Sequence, residues 1–484
     1  MALFFLGSVK VKKYDWQAGT DLFDPFLKEF PQSAMESSVL YQNGMCKFML
    51  SDNENALRLI DRLLSEYPGA QEVPGGWNLR GDIQSTEEAD FGTEISPAYN
   101  NAISTSANFP DQEEVAAYAM WQLLMNTASL EHWEEAGQWF DRFQKEHPES
   151  AYSVDALIGA LDTLVALGRI DEAVQRLETL LYKSGEDASG GQLAELFGTY
   201  LDFIKENDPE NAATRLDEIS LSKQASVALQ AWAKIGKIQL LEGAEGDNKD
   251  AIQALFYQIN NKFDPAPHSN YIIVRLARWH AVTRKKPEDA APLYDYILAN
   301  REGSEDFDLA LLDRAEIDAQ SDLPENRARA MQYFDRVLNE FSNAELAENA
   351  SVGVARLLMK EKKFEEALPR WESYMDNNAW NKFSAEANYS YGVCHDQLGN
   401  VGEALVIYIN TYNAYPGHIE VSMPSYIRAA LIMKAKDEDL KAMLILKDML
   451  TRMQDIKHPN KDKAMKLFLK WKSEYVPPKK EASK

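Results

Sequence analysis

Apolar residues recur along the whole chain at three- and four-residue intervals, in segments long enough for three or four helical turns. No stretch of sustained period-two alternation interrupts them, so the predicted elements are amphipathic helices from end to end. The pattern also repeats at a larger scale. "DWQAGTDLFDPFLKEFPQS", Asp15 to Ser33, and "HWEEAGQWFDRFQKEHPES", His132 to Ser150, fit one frame of W, F-D, F, K-E, P and S. "LRLIDRLLSEYPGA", "MQYFDRVLNEFSNA" and "LVIYINTYNAYPGH" are shorter relatives of the same phrase. Each predicts a helix with a small residue one turn before a central aromatic or aliphatic residue. A proline often follows, where it stops further winding.

The small residues align as Gly19, Ala56, Ala98, Ala136, Ala173, Ala212, Ala251, Ala290, Ala330, Ala367, Ala404 and Ala442. Their spacing is about 37 to 42 residues, the periodicity of a solenoid built from stacked helix pairs. About twelve pairs fill the 484 residues, leaving no room for a separate catalytic domain. In the clearest unit, "NYSYGVCHDQLGNVGEALVIYINTYNAYP", Gly392 lies on the first helix, Gly399 in the turn, Ala404 and Tyr408 on the second helix, and Pro416 at its end. Gly44, Ala56, Ile60 and Pro68 take those places near the start, and Ala136 with Phe140 in the unit that carries Trp133. Small residues where helices cross let backbones approach, and a large one from the facing helix fills the gap.

These offsets resemble the tetratricopeptide repeat: a small residue at position 8, Ala at 20, a large residue at 24 and Pro at 32. The resemblance implies an all-α, right-handed α-solenoid over residues 1–459, a capping helix over 460–475 and a flexible tail over 476–484. Departures are visible. An acidic insertion, "STEEADFGTEI", lies between the helices of the unit containing Trp77 and Gly81. The units near Ala212 and Ala251 lack the closing proline. Pro292 and Pro369 fall two residues after the motif alanine, predicting second helices that kink or start late. In this frame the opening "MALFFLG" reads as the first helix of a repeat, with Leu6 and Gly7 at positions 7 and 8, in preference to a signal segment. Its bare apolar start, without a polar cap, raises the expectation that an upstream piece precedes it.

Composition agrees with a folded chain, at 45% hydrophobic and 11% aromatic residues. The net charge of −25 argues against a general binder of nucleic acid or anionic membrane and favours basic partners. The charge is polarised: from Leu431 onward Lys and Arg exceed Asp and Glu by six, leaving the first 430 residues at −31. Cys46 and Cys394 read as lone buried thiols. No apolar run is long enough to span a bilayer.

Candidate chemistry is sparse. The seven histidines form no HxxxH, HxH or His-Cys cluster, no phosphate loop or nucleophile elbow occurs, and no acid/base pair stands out. No catalytic residue, metal ligand or cofactor is therefore assigned. Trp16 and Trp133 recur at one repeat position and Trp371 fills the large-residue slot, which makes all three packing residues. One basic island, "RLARWHAVTRKK", interrupts the acidic chain. By the resemblance it is a first helix, and first helices line the concave surface. Arg275 and Trp279 take groove-facing positions 5 and 9, with Arg278 between them. They are the candidate partner-binding residues, for an acidic or carboxylate group. Arg284, Lys285 and Lys286 are also explained as cations at a helix C-terminus. The Lys and Asn set with which chaperone adaptors of this family clamp a carboxylate is absent, so chaperone tails are not expected partners.

The resemblance implies a non-catalytic protein-interaction scaffold whose partners and oligomeric state are left open. The phrase F-x-x-E-[FYH]-P-x-S is similar in style to bacterial envelope repeat proteins. That places the chain in a periplasmic or envelope-associated complex if a leader lies upstream. A cytoplasmic adaptor or regulator is the alternative. An enzyme built on an α-solenoid is a third reading, disfavoured because no polar constellation converges.

Overall fold

The computed structural model describes residues 1–185, 191–377 and 381–475. Every regular element among them is a helix, twenty-six α-helices and two π turns, with no strand. The chain divides into two compact units, 1–252 and 253–484. Within each, successive helices pack on their neighbours in sequence and on the next but one, as stacked hairpins do.

The repeat small residues lie buried at the helix crossings, except Ala251, which is exposed on helix Lys249–Asn260, where Leu255, Phe256 and Ile259 face the core instead. Ala56, Ala136 and Ala404 have no exposed surface, and neither do Phe140 and Tyr408. Gly44 lies so close to Ile60 that a Cβ there would come within 2.7 Å of Ile60 Cδ1. A Cβ on Gly392 would lie 3.0 Å from both the Tyr408 ring and Ile407. Trp371 is fully buried, and its indole N–H donates to the Met359 sulfur at 3.1 Å. Trp16 and Trp133 are half-buried beside their hairpin turns.

Two devices end the helices. The helices Trp16–Glu29, Asn53–Glu66, Trp133–Glu146 and Val401–Ala414 each stop one residue before a pre-proline residue. Those residues, Phe30, Tyr67, His147 and Tyr415, sit near φ −128 to −123 and ψ 52 to 56, with His147 at −135 and 48. The following proline ring excludes the helical region there. In eight of the hairpins the turn is made by one residue in the left-handed region, two places before the second helix. Gly168 and Gly399 suit it, but Tyr14, Ser51, Glu131, Lys285, Lys362 and Asp437 hold the same conformation with a side chain.

Some expectations change. Pro292 and Pro369 delay nothing: they lie inside helices Pro287–Asn300 and Phe364–Asn377, near enough to the start that one backbone bond is lost. The acidic insertion is short and merges into a π turn, Phe91–Ile95, that runs into helix Ser96–Ser106. The first hairpin is packed, with Gly7 buried beneath Phe23. Both thiols are buried, and burial pushes each up to about 11. The last helix is Pro459–Glu474; the expected tail at 476–484 lies outside the described residues. No helix is long and apolar enough to cross a membrane among the described residues.

Candidate functional site

The basic island forms helix Asn270–Arg278 and the π turn Trp279–Thr283. Ser269 caps the helix, its hydroxyl accepting from the Ile272 N–H. Arg278 is exposed, but its guanidinium donates to both oxygens of Asp313, at 2.6 and 3.0 Å. Tyr294 donates to the same carboxylate at 2.9 Å. Arg275 is half-buried on the same helix and already engaged by neighbours.

Trp279 departs from the expected groove position. It is only 3% exposed, stacked on Phe256 at 5.4 Å and met edge-on by Tyr257 at 4.9 Å. The Arg284 guanidinium lies 5.2 Å over its ring, a cation–π contact that occupies Arg284 more specifically than a helix dipole would. Burying an indole against two further rings stabilises by several kcal/mol at roughly 25 cal/mol per Å², which outweighs its exposure to a groove. His280 is buried as well, bonded through Nε2 to Asn260 at 2.9 Å; burial, and then Arg284, hold its pKa down against the opposing pull of Asp289.

What the island does border is a cleft of about 460 Å³ between helices Phe307–Gln320 and Ala344–Lys360. Asp306, Asp308, Asp313, Glu316 and Glu345 face it, against two cations, Arg278 and Lys382. Lys382 pairs with Glu345 at 3.6 Å. Burial raises the carboxyl pKa of both Asp306 and Glu316, and neighbouring carboxylates raise them further. Glu316 also borders an apolar cleft of about 300 Å³ lined by Ala319, Phe334, Gly353 and Leu357, with Arg356 and Lys360 at its edge. Arg356 holds Glu386 of the next first helix through two bonds, at 2.6 and 2.5 Å. Paired charges thus link successive first helices, while Glu316 lies between Arg278 and Arg356 with no salt bridge to either.

The arrangement offers a surface of net negative charge with an apolar strip beside it. It can hold a basic segment with an apolar neighbour residue. Among the described residues no group of three or more His, Cys, Asp or Glu is placed to hold a metal ion. Sequence reading found Arg278 but missed Asp306, Asp313, Glu316 and Glu345. Their signal was a run of carboxylates on consecutive first helices, hidden in a chain where carboxylates are common everywhere.

Residues 354–419 match the tetratricopeptide repeat family. No curated protein matches the chain. Among solved structures it is similar to YrrB, described as a tetratricopeptide repeat protein with an unusual peptide-binding site, at 20% identity over 46% of this chain and 100% of that one, TM-score 0.30. It is also similar to the anaphase-promoting-complex hetero-tetramer Cut9–Hcn1, at 15% identity over 96% and 89%, TM-score 0.37. Yeast Tom70 aligns at 11% identity over 98% and 95%, TM-score 0.33.

Proposed function

We propose that the helix hairpins, of which residues 354–419 match the tetratricopeptide repeat family, form a non-catalytic scaffold that binds segments of partner proteins along its first helices. The observation that carries the reading is the cleft beside Arg278. Five carboxylates face it against two cations, and among the described residues Glu316 has no salt bridge. The fitting partner is a basic segment with an apolar residue, since a cation can meet Glu316 while the apolar residue enters the cleft next to Phe334 and Leu357. Arg278 shapes this site by holding Asp313. The repeat frame, in step from Ala212 through Ala251 to Ala290, supports one array over 1–459. The helix-to-Pro-to-Ser phrase supports a place in a bacterial cell-envelope complex.

Cross-linking in the source cells, comparing the wild type with Glu316→Lys, tests the site. Glu316 reaches solvent, although the cleft walls partly desolvate its carboxylate, and circular dichroism of the variant checks that it folds. Partners carrying basic segments are expected to drop out of the variant's cross-links. An identical set of partners for both proteins would remove the cleft from the reading.

A further inference from the structure

A second polar site lies in residues 1–252, on the first helices Glu36–Met49, Val73–Thr86, Glu113–Ser129 and Ser153–Gly159. Asp82 is at its centre. The Tyr99 hydroxyl donates to Asp82 Oδ1 at 2.8 Å, and the Tyr118 hydroxyl donates to the same oxygen at 2.9 Å. Gln122 Nε2 donates to the Tyr118 oxygen at 2.9 Å, which fixes that ring. Both donors converge on one oxygen. Among the described residues no hydrogen bond reaches Oδ2, and no cation pairs with the carboxylate.

The surroundings suit a positive charge. Tyr118 meets Trp121 edge-on at 5.7 Å and Tyr152 at 5.3 Å, and Trp121 stacks on Tyr152 at 5.3 Å. All three residues are partly buried, with some surface left open to solvent. Ring faces attract cations, more strongly where water is partly excluded. Gly75 lets Tyr41 lie across the helix that carries Asp82: a Cβ there would come within 2.9 Å of the Tyr41 hydroxyl. One turn before Asp82, the Asn78 amide donates to the Val115 carbonyl at 2.9 Å, while its own oxygen is buried without a partner on a side chain 6% exposed. Glu72 and Glu114 add negative potential from either side. A lone carboxylate in such a place is costly unless something charged completes it.

We propose that this patch binds a Lys or Arg side chain of a partner segment, which donates to Asp82 Oδ2 and lies against the rings of Tyr118, Trp121 and Tyr152. The site is separate from the cleft beside Arg278, so variants at Asp82 test it without touching that reading. It also supplies what the Asp82 carboxylate lacks, a cation, without disturbing either tyrosine bond.

The test uses the full chain and immobilised peptides of the form Ac-Ser-Gly-Ser-X-Ser-Gly-Ser, with X as Lys, Arg, Gln or Glu. The wild type is expected to be retained on the Lys and Arg peptides over Gln. Asp82→Asn should weaken that retention on the order of tenfold, the loss expected for one hydrogen bond to a charged group. Asp111→Asn changes the net charge equally at an exposed loop residue and should bind as the wild type does, which separates the site from the general acidity of the chain. Ser85→Lys places a resident ammonium three residues after Asp82, and should lose the preference while the protein stays folded. That variant decides the matter if Asp82→Asn fails to fold. Retention of Asp82→Asn and Ser85→Lys equal to wild type would overturn the proposal, as would a wild type that does not distinguish Lys or Arg from Gln.

Discussion

Asp318 offers a sharp test of how the second unit is held. It is 2% exposed, and it holds Arg329 through two bonds at 2.6 and 2.8 Å. It also pairs with Arg314, itself 6% exposed. Asp318→Asn keeps the volume but strands a buried guanidinium. Breaking one side of a buried pair generally costs about 3–5 kcal/mol, most of it the price of the uncompensated charge. Two features reduce that here. Arg314 retains Asp295 at 2.8 Å, and Arg329 is 38% exposed and can turn to solvent. An expected cost of about 2–3 kcal/mol follows. Because stacked hairpins need not unfold together, hydrogen exchange is the assay of choice, read on helices Phe307–Gln320 and Pro324–Glu340. Amides there should exchange about thirty- to 150-fold faster from the open state, with helices Ala2–Lys12 and Trp16–Glu29 unchanged. The double variant Arg314→Met/Asp318→Leu removes both charges and should recover much of the loss. A single variant costing under about 1 kcal/mol, or a double variant worse than the single, would refute the argument that stranded charge sets the cost.

Other consequences are open to simpler measurements. Ser51→Gly and Lys362→Gly relieve left-handed residues at the hairpin turns and should each stabilise by about 0.5–1 kcal/mol in urea titrations; destabilisation would mean that the side chains there make compensating contacts. Trp279→Ala should cost about 3–5 kcal/mol, as a buried indole does and a groove residue would not. Burial raises the Asp82 carboxyl to about 6 in the folded chain, against an unfolded value near 3.8. The folded state therefore binds the extra proton between those values. The stabilisation that this proton brings is complete below about pH 3.8 and lost as pH rises through 6. Thermal melts from pH 4 to 7 should show a falling contribution that Asp82→Asn flattens, and an unchanged pH profile in that variant would place the titration elsewhere.

Helix, period and packing slot were legible in the residues. A helix must carry apolar residues at three- and four-residue spacing to bury one face, and a stacked pair needs a small residue at each crossing. Gly44 against Ile60 and Gly392 against Tyr408 follow from those two local demands. The pre-proline stops at Phe30 and His147 are equally local, because the steric exclusion acts between chain neighbours. The fate of Trp279 was not local. Its position in the repeat allowed a groove, and only Phe256 and Tyr257, brought beneath it by the preceding helix, made burial the better outcome. The same holds for charge. Nothing in the sequence distinguishes Asp313, which Arg278 neutralises, from Asp82, which no cation among the described residues meets. Both sit on first helices of an acidic chain. Which carboxylate is satisfied depends on the side chains that stacking places within 3 Å of it, and that distance is set by tertiary structure alone.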